Sequence, residues 1–516
     1  MPTPADQIRT AQVIASLCLA TDLGMGFPFE HGLHATLTTM RLCAALGVDD
    51  ETRVRTFYAS LLMYAGCTVD AVERAEIFGG SMTRYHTHRQ FGSKLESLTG
   101  VAMSLPSPRN STPRRIYEIA SGLPRASRFV TGHFAALCEV AGMLAHRLGM
   151  PDSISGMFPL LTERWDGASI LERARGDEIP LPVRIVHVGR DATYQRLVGD
   201  DDHVKDVIQA RSGKAFDPEV VACFLRNADE VLGPFALPAT AWSEIESAEP
   251  KPWMMLEGSE IDRALGAIGV FSDLASPYLT GHSAGVADLV HSAALLAGFD
   301  EEEARIVRRA GFVHDVGRTA IGSKVWGKSV PLDADEREQV RLHPYHTGRV
   351  LARADSLSDI AGVAVAHHER LDGSGYHRGL DASSLSPSAR LLAAADAFHS
   401  KTEPRPYRDL MSDAEATELV VRRAREGFLD PVMVEAVVEA AGQGSPRLER
   451  PAGLTDREVE VLGLVARGLR TKQIARKLEI SPKTVDRHIQ NSYRKIGVSS
   501  RAAATLYATE KGFIPR

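Results

Sequence analysis

Apolar residues recur at helical spacing through most of this chain, and runs that alternate apolar with polar positions, as half-buried strands do, are few. The pattern predicts two helical domains, about 20–237 and 261–441. Two stretches interrupt it: Pro238 to Glu260, with Pro250 and Pro252, and Gly442 to Gly453, reading GQGSPRLERPAG. Their Pro, Gly and small residues predict linkers at 238–260 and 442–453, dividing the chain into 1–237, 261–441 and 454–516. The last part has the clearest helix signals. Thr455 with Glu458 forms a capping box before a stripe of Val459, Leu462, Val465 and Ala466, and Gly468 stops the helix. A short helix from about Thr471 to Leu478 buries Ile474, Ala475 and Leu478. Ser481 then caps a third helix with Pro482 at its first position and Val485, Ile489, Tyr493 and Ile496 on its buried face.

The first two parts read as copies of each other. Setting Leu46-Gly47-Val48-Asp49 on Ala297-Gly298-Phe299-Asp300 brings His31 onto His282 and Gly66 onto Gly317 at one offset of 251. Farther on, Glu163-Arg164-Trp165-Asp166-Gly167 falls on Glu369-Arg370-Leu371-Asp372-Gly373 at an offset of 206, so the first copy carries a net insertion of 45 residues. That insertion, within about 68–132, holds Arg84, Arg89, Arg109, Arg114, Arg115, Arg125 and Arg128 and is expected to be a solvated basic loop.

Composition narrows the class. At 516 residues the chain exceeds one hydrophobic core, and 44% hydrophobic residues is ordinary for a globular protein. No apolar run approaches the roughly 20 residues that span a bilayer, and the N-terminus MPTPADQIRT lacks a basic segment followed by an apolar one. A cytoplasmic protein with no membrane partner is expected. Cys18, Cys43, Cys67, Cys138 and Cys223 form no CxxC pair and are odd in number, which speaks against a disulfide framework or a thiolate zinc site. Buried reduced thiols are the plain reading, and redox or metal sensing by Cys43, Cys67 and Cys138 is the alternative. The net charge of −6 conceals an asymmetry: 454–516 is strongly basic while the rest is acidic, so the tail is the polyanion-binding part.

The central part carries the chemistry. It holds HSAGVADLV at 282, HDVGR at 314, HP at 343, HHERLDGSGYH at 367 and AAADAF around Asp396. Imidazole with carboxylate suits Fe, Mn, Zn or Co, and an adjacent His-Asp pair can give one ligand to each of two metals or a carboxylate bridging them. Over 278–410 this order resembles the HD superfamily, specifically its HD-GYP branch, whose pattern is HDxGK, HP and HHExxDGxGYP on a helical bundle. The resemblance implies two divalent ions held by His282, His314, Asp315, His343, His367, His368 and Asp396. It implies catalytic roles for Asp315 and Arg318, a substrate loop of Asp372, Gly373, Gly375 and Tyr376, and hydrolysis of cyclic di-GMP. Three positions depart from it: Arg318 replaces a lysine and is a permanently charged fork, His377 replaces the final proline, and Tyr278 stands where some members add a carboxylate for a third metal.

The first copy has lost this set. Met63-Tyr64 stand opposite His314-Asp315, Leu161-Thr162 opposite His367-His368, and Arg190 or Asp191 opposite Asp396, leaving His31 alone. One histidine cannot hold a metal cluster, so this copy is expected to be catalytically dead and to serve packing or ligand sensing, with a cavity where the metals were.

The tail, about 454–514, resembles the LuxR-type helix-turn-helix domain in its LTxREVEVL, its G-x-x-x-K-x-IA and its SxKTVxxHIxNxYxKxGVxSR stretches. That resemblance implies double-stranded DNA as partner, the third helix in the major groove and a fourth helix, about Ser499 to Lys511, often used for dimerisation. Lys472 and Lys495 are expected on phosphates, with Lys483, Thr484, Arg487 and His488 as further contacts and Arg487 foremost for bases. The sequence thus predicts an all-α protein: tandem HD-type bundles and a four-helix LuxR-type domain. It is expected to be a homodimeric bacterial transcription regulator controlled by a metal-binding domain that senses or hydrolyses a cyclic dinucleotide or another phosphorylated ligand. The alternative is an active metal-dependent phosphodiesterase with an accessory DNA-binding tail.

Overall fold

Helix ends in this chain fall where glycine reaches positive φ and an acid caps the next helix. In the computed structural model, residues 7–65, 77–78, 90–106, 110–234, 241–444, 451–498, 501–511 and 513 are described. The first helices are α1 (Thr10–Met25), α2 (His31–Leu46) and α3 (Asp50–Leu62). Gly47, at φ 63°, ends α2, and the Asp49 carboxylate accepts the Thr52 amide at 2.7 Å to begin α3. Further along come α4 (Lys94–Ser104), α5 (Thr112–Arg147), α6 (Leu181–Gln195), α7 (Pro218–Arg226), α8 (Ala241–Ala248) and α9 (Ser259–Asp273). A two-stranded antiparallel ribbon joins β1 (Gln7–Arg9) to β2 (Met255–Glu257), with Ile8 opposite Leu256. The stretch expected as a linker over 238–260 therefore holds a helix and a strand. Trp242, Ile245 and Leu256 are buried there, so the proline-rich composition does not mark free chain.

The basic insertion also differs from the expected loop. Its described part is largely helical, in α4 and the start of α5, because Val101, Leu105, Ala126, Phe129 and Phe134 recur at helical spacing and pack into a core cluster of their own. Arg114, Arg115 and Arg125 lie exposed on α5, whereas Arg84, Arg89 and Arg109 and the Arg128 side chain lie outside the described residues. Cys18, Cys43, Cys138 and Cys223 are buried and free, with burial pushing the Cys43 thiol up to about 11. Burial likewise raises Cys18 and Cys138, so these three thiols stay protonated and unreactive. Cys67 lies outside the described residues.

The chain's contacts divide it into two compact units. The first is Met1–Thr280 with Val316–Lys328 and Arg349–Leu357; the second is Gly281–Asp315, Ser329–Gly348 and Ser358–Arg516. In the first, α2, α3 and α6 pack on one another. In the second, α10 (His282–Leu296) is the central helix, packed against α11 (Glu301–Val313), α14 (Pro387–His399) and α15 (Pro431–Ala440). Two shorter helices are α12 (His343–Leu351) and α13 (Ser358–Ala364). At the α10–α11 crossing Gly311 has no room for a side chain: a Cβ would lie 2.8 Å from the Ala287 Cα. Gly298 (φ 83°) and the Asp300 capping box with Glu303 repeat the junction made by Gly47 and Asp49. The tail carries α16 (Asp456–Ala466), α17 (Thr471–Lys477), α18 (Pro482–Ile496) and α19 (Arg501–Glu510). The architecture is mostly helical, as expected, and among the described residues no helix is long and apolar enough to cross a membrane.

Candidate metal centre and nucleic-acid interface

Five pieces of the second unit deliver the seven expected ligands to one place. His282 opens α10, the His314-Asp315 pair follows α11, His343 opens α12, His367-His368 follow α13, and Asp396 lies within α14. Asp315 is the pivot and is fully buried. Its Oδ2 lies 3.2 Å from His282 Nε2 and 3.0 Å from His314 Nε2, while its Oδ1 lies 3.1 Å from His343 Nε2 and 3.4 Å from His367 Nε2. Asp396 joins the first set, its Oδ1 at 3.3 Å from His282 Nε2, and reaches towards His368, whose Nδ1 is 3.8 Å from Oδ2. His343, His367 and His368 form one group with metal-binding geometry, and His282, His314 and Asp315 another.

The imidazoles are turned to face inward by their other nitrogen. His314 Nδ1 pairs with the Gly311 carbonyl at 2.8 Å, His343 Nδ1 with that of Val340 at 2.6 Å and His367 Nδ1 with that of Ala364 at 2.6 Å. A proton on Nδ1 leaves the Nε2 lone pair for a cation, the arrangement that ligating histidines use. His314 Nε2 and Asp396 Oδ1 are buried and face other members of the same cluster, Asp315 at 3.0 Å and His282 at 3.3 Å, a crowding of donor atoms that a cation would balance. Burial opposes charge on Asp396, but the hydrogen bond from His282 and the nearby His368, His282 and His314 hold its carboxyl well below the usual range. Burial, with His367 beside it, holds His368 well below its ordinary value and keeps it neutral. The donor set fits divalent metal ions, which accept neutral imidazole and ionised carboxylate together.

Sequence reasoning missed Glu403 and His399. Glu403 Oε2 accepts the His282 Nδ1 hydrogen bond at 2.9 Å, and its other oxygen lies 3.3 Å from His399 Nε2. Burial opposes ionisation of Glu403, but the hydrogen bonds from His282 and His399 outweigh it and lower its pKa far below normal. The spacing of His399 and Glu403, one helical turn, was the available signal. The expected substrate loop borders the second histidine group. The Tyr376 ring lies 4.4 Å from the His368 ring, and Arg341 donates to the Gly375 and Tyr376 carbonyls at 3.0 and 3.1 Å. Gly375 has no space for a Cβ, which would sit 2.5 Å from the Glu369 Cα. Asp372 is exposed and accepts from Ser374 N and Oγ at 3.0 and 2.7 Å, and Gly373 turns at φ 78°. Arg318 falls in the other unit, buried, with its guanidinium 5.2 Å over the Trp326 ring.

In the tail, Thr455 and Glu458 form the expected capping box, Ser481 caps α18, and Pro482 is its first residue. Lys472, Lys483 and Arg487 are exposed, while Thr484 and His488 are half-buried. The Thr484 hydroxyl is 2.7 Å from Ser481 Oγ, within the cap. Lys495 is exposed, and its Nζ donates to buried Glu458 at 2.6 Å and to the Gly453 carbonyl at 2.7 Å. It ties α18 to the start of α16 and satisfies the buried Glu458 carboxylate.

Two family models match the chain: the HD domain over residues 270–433, and bacterial regulatory proteins of the luxR family over residues 452–508. It carries an HD domain and a LuxR-type domain. The chain is 26% identical over 436 residues to the 3'3'-cGAMP-specific phosphodiesterase 3 of Vibrio cholerae serotype O1, covering 83% of this chain and 94% of that protein. It is 35% identical over 169 residues to the cyclic di-GMP phosphodiesterase response regulator RpfG of Xanthomonas campestris pv. campestris, covering 32% of this chain and 44% of that protein. A crystal structure of a cyclic GMP-AMP-specific phosphodiesterase from V. cholerae aligns with a TM-score of 0.57 at 22% identity, over 84% of this chain and 98% of that one, and shows a shared fold.

The HD domain can be set beside the first copy residue by residue. Glu369 accepts the Arg378 and Leu380 amides, each at 3.1 Å, and Glu163 accepts the Arg173 amide at 3.1 Å, so one glutamate pins the following loop in both copies. The Leu371 amide donates to the Phe428 carbonyl and the Trp165 amide to that of Ala215, both at 3.1 Å. Where the HD domain has its ligands, the first copy has rings. Tyr64 and Tyr194 are fully buried with centroids 5.8 Å apart, and His31 lies 5.2 Å from Tyr194. Arg190 takes the place of Asp396, its guanidinium 5.2 Å over Tyr64 and 5.1 Å over Tyr194 and bonded to Gln90. Asp191, the other counterpart, pairs with Arg211 at 2.5 Å. Burial first, then the charges of His34 and Arg190, lower the His31 pKa to about 3, so this histidine is a neutral core residue. The space expected to be left open by lost metals is thus filled by aromatic rings and a guanidinium.

Proposed function

We propose that this chain is a cytoplasmic DNA-binding regulator whose HD domain holds two divalent ions, binds and hydrolyses a cyclic dinucleotide, and thereby sets how the LuxR-type tail engages DNA. The observation that carries this reading is Asp315, which offers one oxygen to His282 and His314 and the other to His343 and His367. When bound, divalent cations supply Lewis-acid neutralisation of a phosphodiester and activation of water. His282, His314 and Asp396 would hold one ion and His343, His367 and His368 the other, with Asp315 shared. The residues themselves hold the imidazoles in the buried interior and fix ring orientation through the Gly311, Val340 and Ala364 carbonyls and Glu403. Tyr376 offers an aromatic face beside His368 for a base of the substrate, as aromatic residues do in nucleotide sites. The relatives named for 3'3'-cGAMP and cyclic di-GMP supply the substrate class.

For the tail, exposed Lys472 and Lys483 would neutralise phosphates and Arg487 would read base edges, on a pseudo-palindromic site bound by two copies. The test is metal content of the purified protein with hydrolysis of 3'3'-cGAMP and cyclic di-GMP on the same sample, followed by operator affinity with and without each nucleotide. Two metals per chain, product formation and a nucleotide-dependent change in affinity are expected. Turnover with operator affinity indifferent to every nucleotide and metal would reduce the tail to an address. Absence of both metal and turnover would overturn the reading.

A further inference from the structure

The first copy has lost its metal chamber but keeps a cavity of about 680 Å³ beside it. One wall is the segment from Thr162 through Arg164, Asp166 and Ser169, which stands where the HD domain has His368, Arg370, Asp372 and Gly375, the approach to its metal centre. The opposite wall is built by the insertion that the HD domain lacks, through Ser97, Leu98 and Val101 of α4 and Leu123, Ala126 and Phe134 of α5. A volume of this order suits a small molecule, and apolar walls with a few placed polar groups are how such sites are made.

Charge decides the ligand class. Arg164 clasps Asp166 through two hydrogen bonds of 3.1 and 2.9 Å, so the charged pair in the wall is internally neutral. Gln90, at the cavity's inner edge, is committed to the Leu161 carbonyl at 2.8 Å and to Arg190. Among the described lining residues the charge is self-paired, so an ionic ligand would be desolvated there, whereas an uncharged one would leave the pair undisturbed. The Ser169 hydroxyl is likewise taken up by Glu163 and by the Glu172 amide at 3.0 Å, and that of Thr162 lies 3.5 Å from Cys138 Sγ, so the lining offers chiefly apolar surface.

We infer that this cavity binds an uncharged, largely apolar small molecule, making the first copy a ligand-binding module. This site is separate from the HD domain's chemistry and does not depend on it. The test uses the full chain and the neutral fluorescent probe N-phenyl-1-naphthylamine. Saturable binding at one probe per chain is expected. Filling the cavity by Ser97→Trp should weaken binding by roughly tenfold or more, while Ser97→Ala leaves it within about twofold. Thermal unfolding and metal content, both unchanged in Ser97→Trp, show that the fold survives; if it does not, Ala168→Trp at the exposed rim replaces it. Non-saturable binding, affinity untouched in the tryptophan variant, or capture only of the anionic analogue 1-anilinonaphthalene-8-sulfonate would each overturn the inference.

Discussion

In the HD domain, Asp315 sits among four imidazoles, and in the first copy Tyr64 occupies the equivalent position with Tyr194 and Arg190 around it. The two neighbourhoods solve one problem in opposite ways. Carboxylates and imidazoles buried together need an external cation to balance them. The first copy supplies its own cation, the Arg190 guanidinium, and surrounds it with aromatic faces that attract it. The first copy is packed there as a core of rings and a guanidinium rather than as a cluster of ligand atoms. The loop-pinning glutamates, Glu163 and Glu369, stayed the same because they serve the backbone, which both copies share.

The sharpest way to break this comparison is at the paired positions. His314→Ala with Asp315→Ala should abolish metal binding and bring cyclic-dinucleotide hydrolysis to background. Met63→His with Tyr64→Asp should leave metal stoichiometry unchanged, because Leu161, Thr162 and Arg190 still offer no ligands; metal analysis after desalting checks both. Next in size, Tyr64→Ala should destabilise the first copy by about 3–5 kcal/mol, since it empties a well-packed aromatic site. Denaturant unfolding followed by near-UV dichroism reads this, and a cost below about 1 kcal/mol would mean the rings do not support the core.

Glu403→Gln tests whether the HD domain depends on the residue behind His282. Metal affinity should fall about 10- to 100-fold by competitive chelator titration, with secondary structure unchanged. An unaltered affinity would make Glu403 incidental. The smallest effect is a pH slope. His31 and His187, both held near 3 chiefly by burial, are neutral in the fold but protonate near 6.5 when unfolded. Each stabilises fully above about pH 6.5 and loses that contribution as pH falls towards 3, at about 1.4 kcal/mol per pH unit. Stability between pH 6 and 4 should therefore fall less steeply in His31→Phe than in the parent chain, and identical slopes would refute the assignment.

These features were unequally visible beforehand. The order of His282, His314-Asp315, His343, His367-His368 and Asp396 could be read because each motif lies at a helix end or within a helix, where spacing is regular. Which Asp315 oxygen faces which set depends on four helices converging, and no linear pattern carries that. Glu403 escaped because it returns to the site from the loop after α14, and the pairing of Lys495 with Glu458 escaped because the two lie two helices apart. The insertion looked like a loop because it is rich in arginine, although apolar positions among its described residues pack into a separate cluster. Fold class followed from periodicity, which records local geometry well.

The crowding of imidazole and carboxylate around Asp315 also has a thermodynamic side. A ligand that binds the folded chain and not the unfolded one adds about 2.7 kcal/mol of stability at a hundred times its dissociation constant. With ions held as proposed by seven side chains from five separate segments, the HD domain would have a fold whose endurance rises and falls with the free metal of its surroundings, so scarcity would reach the protein first as a shorter lifetime.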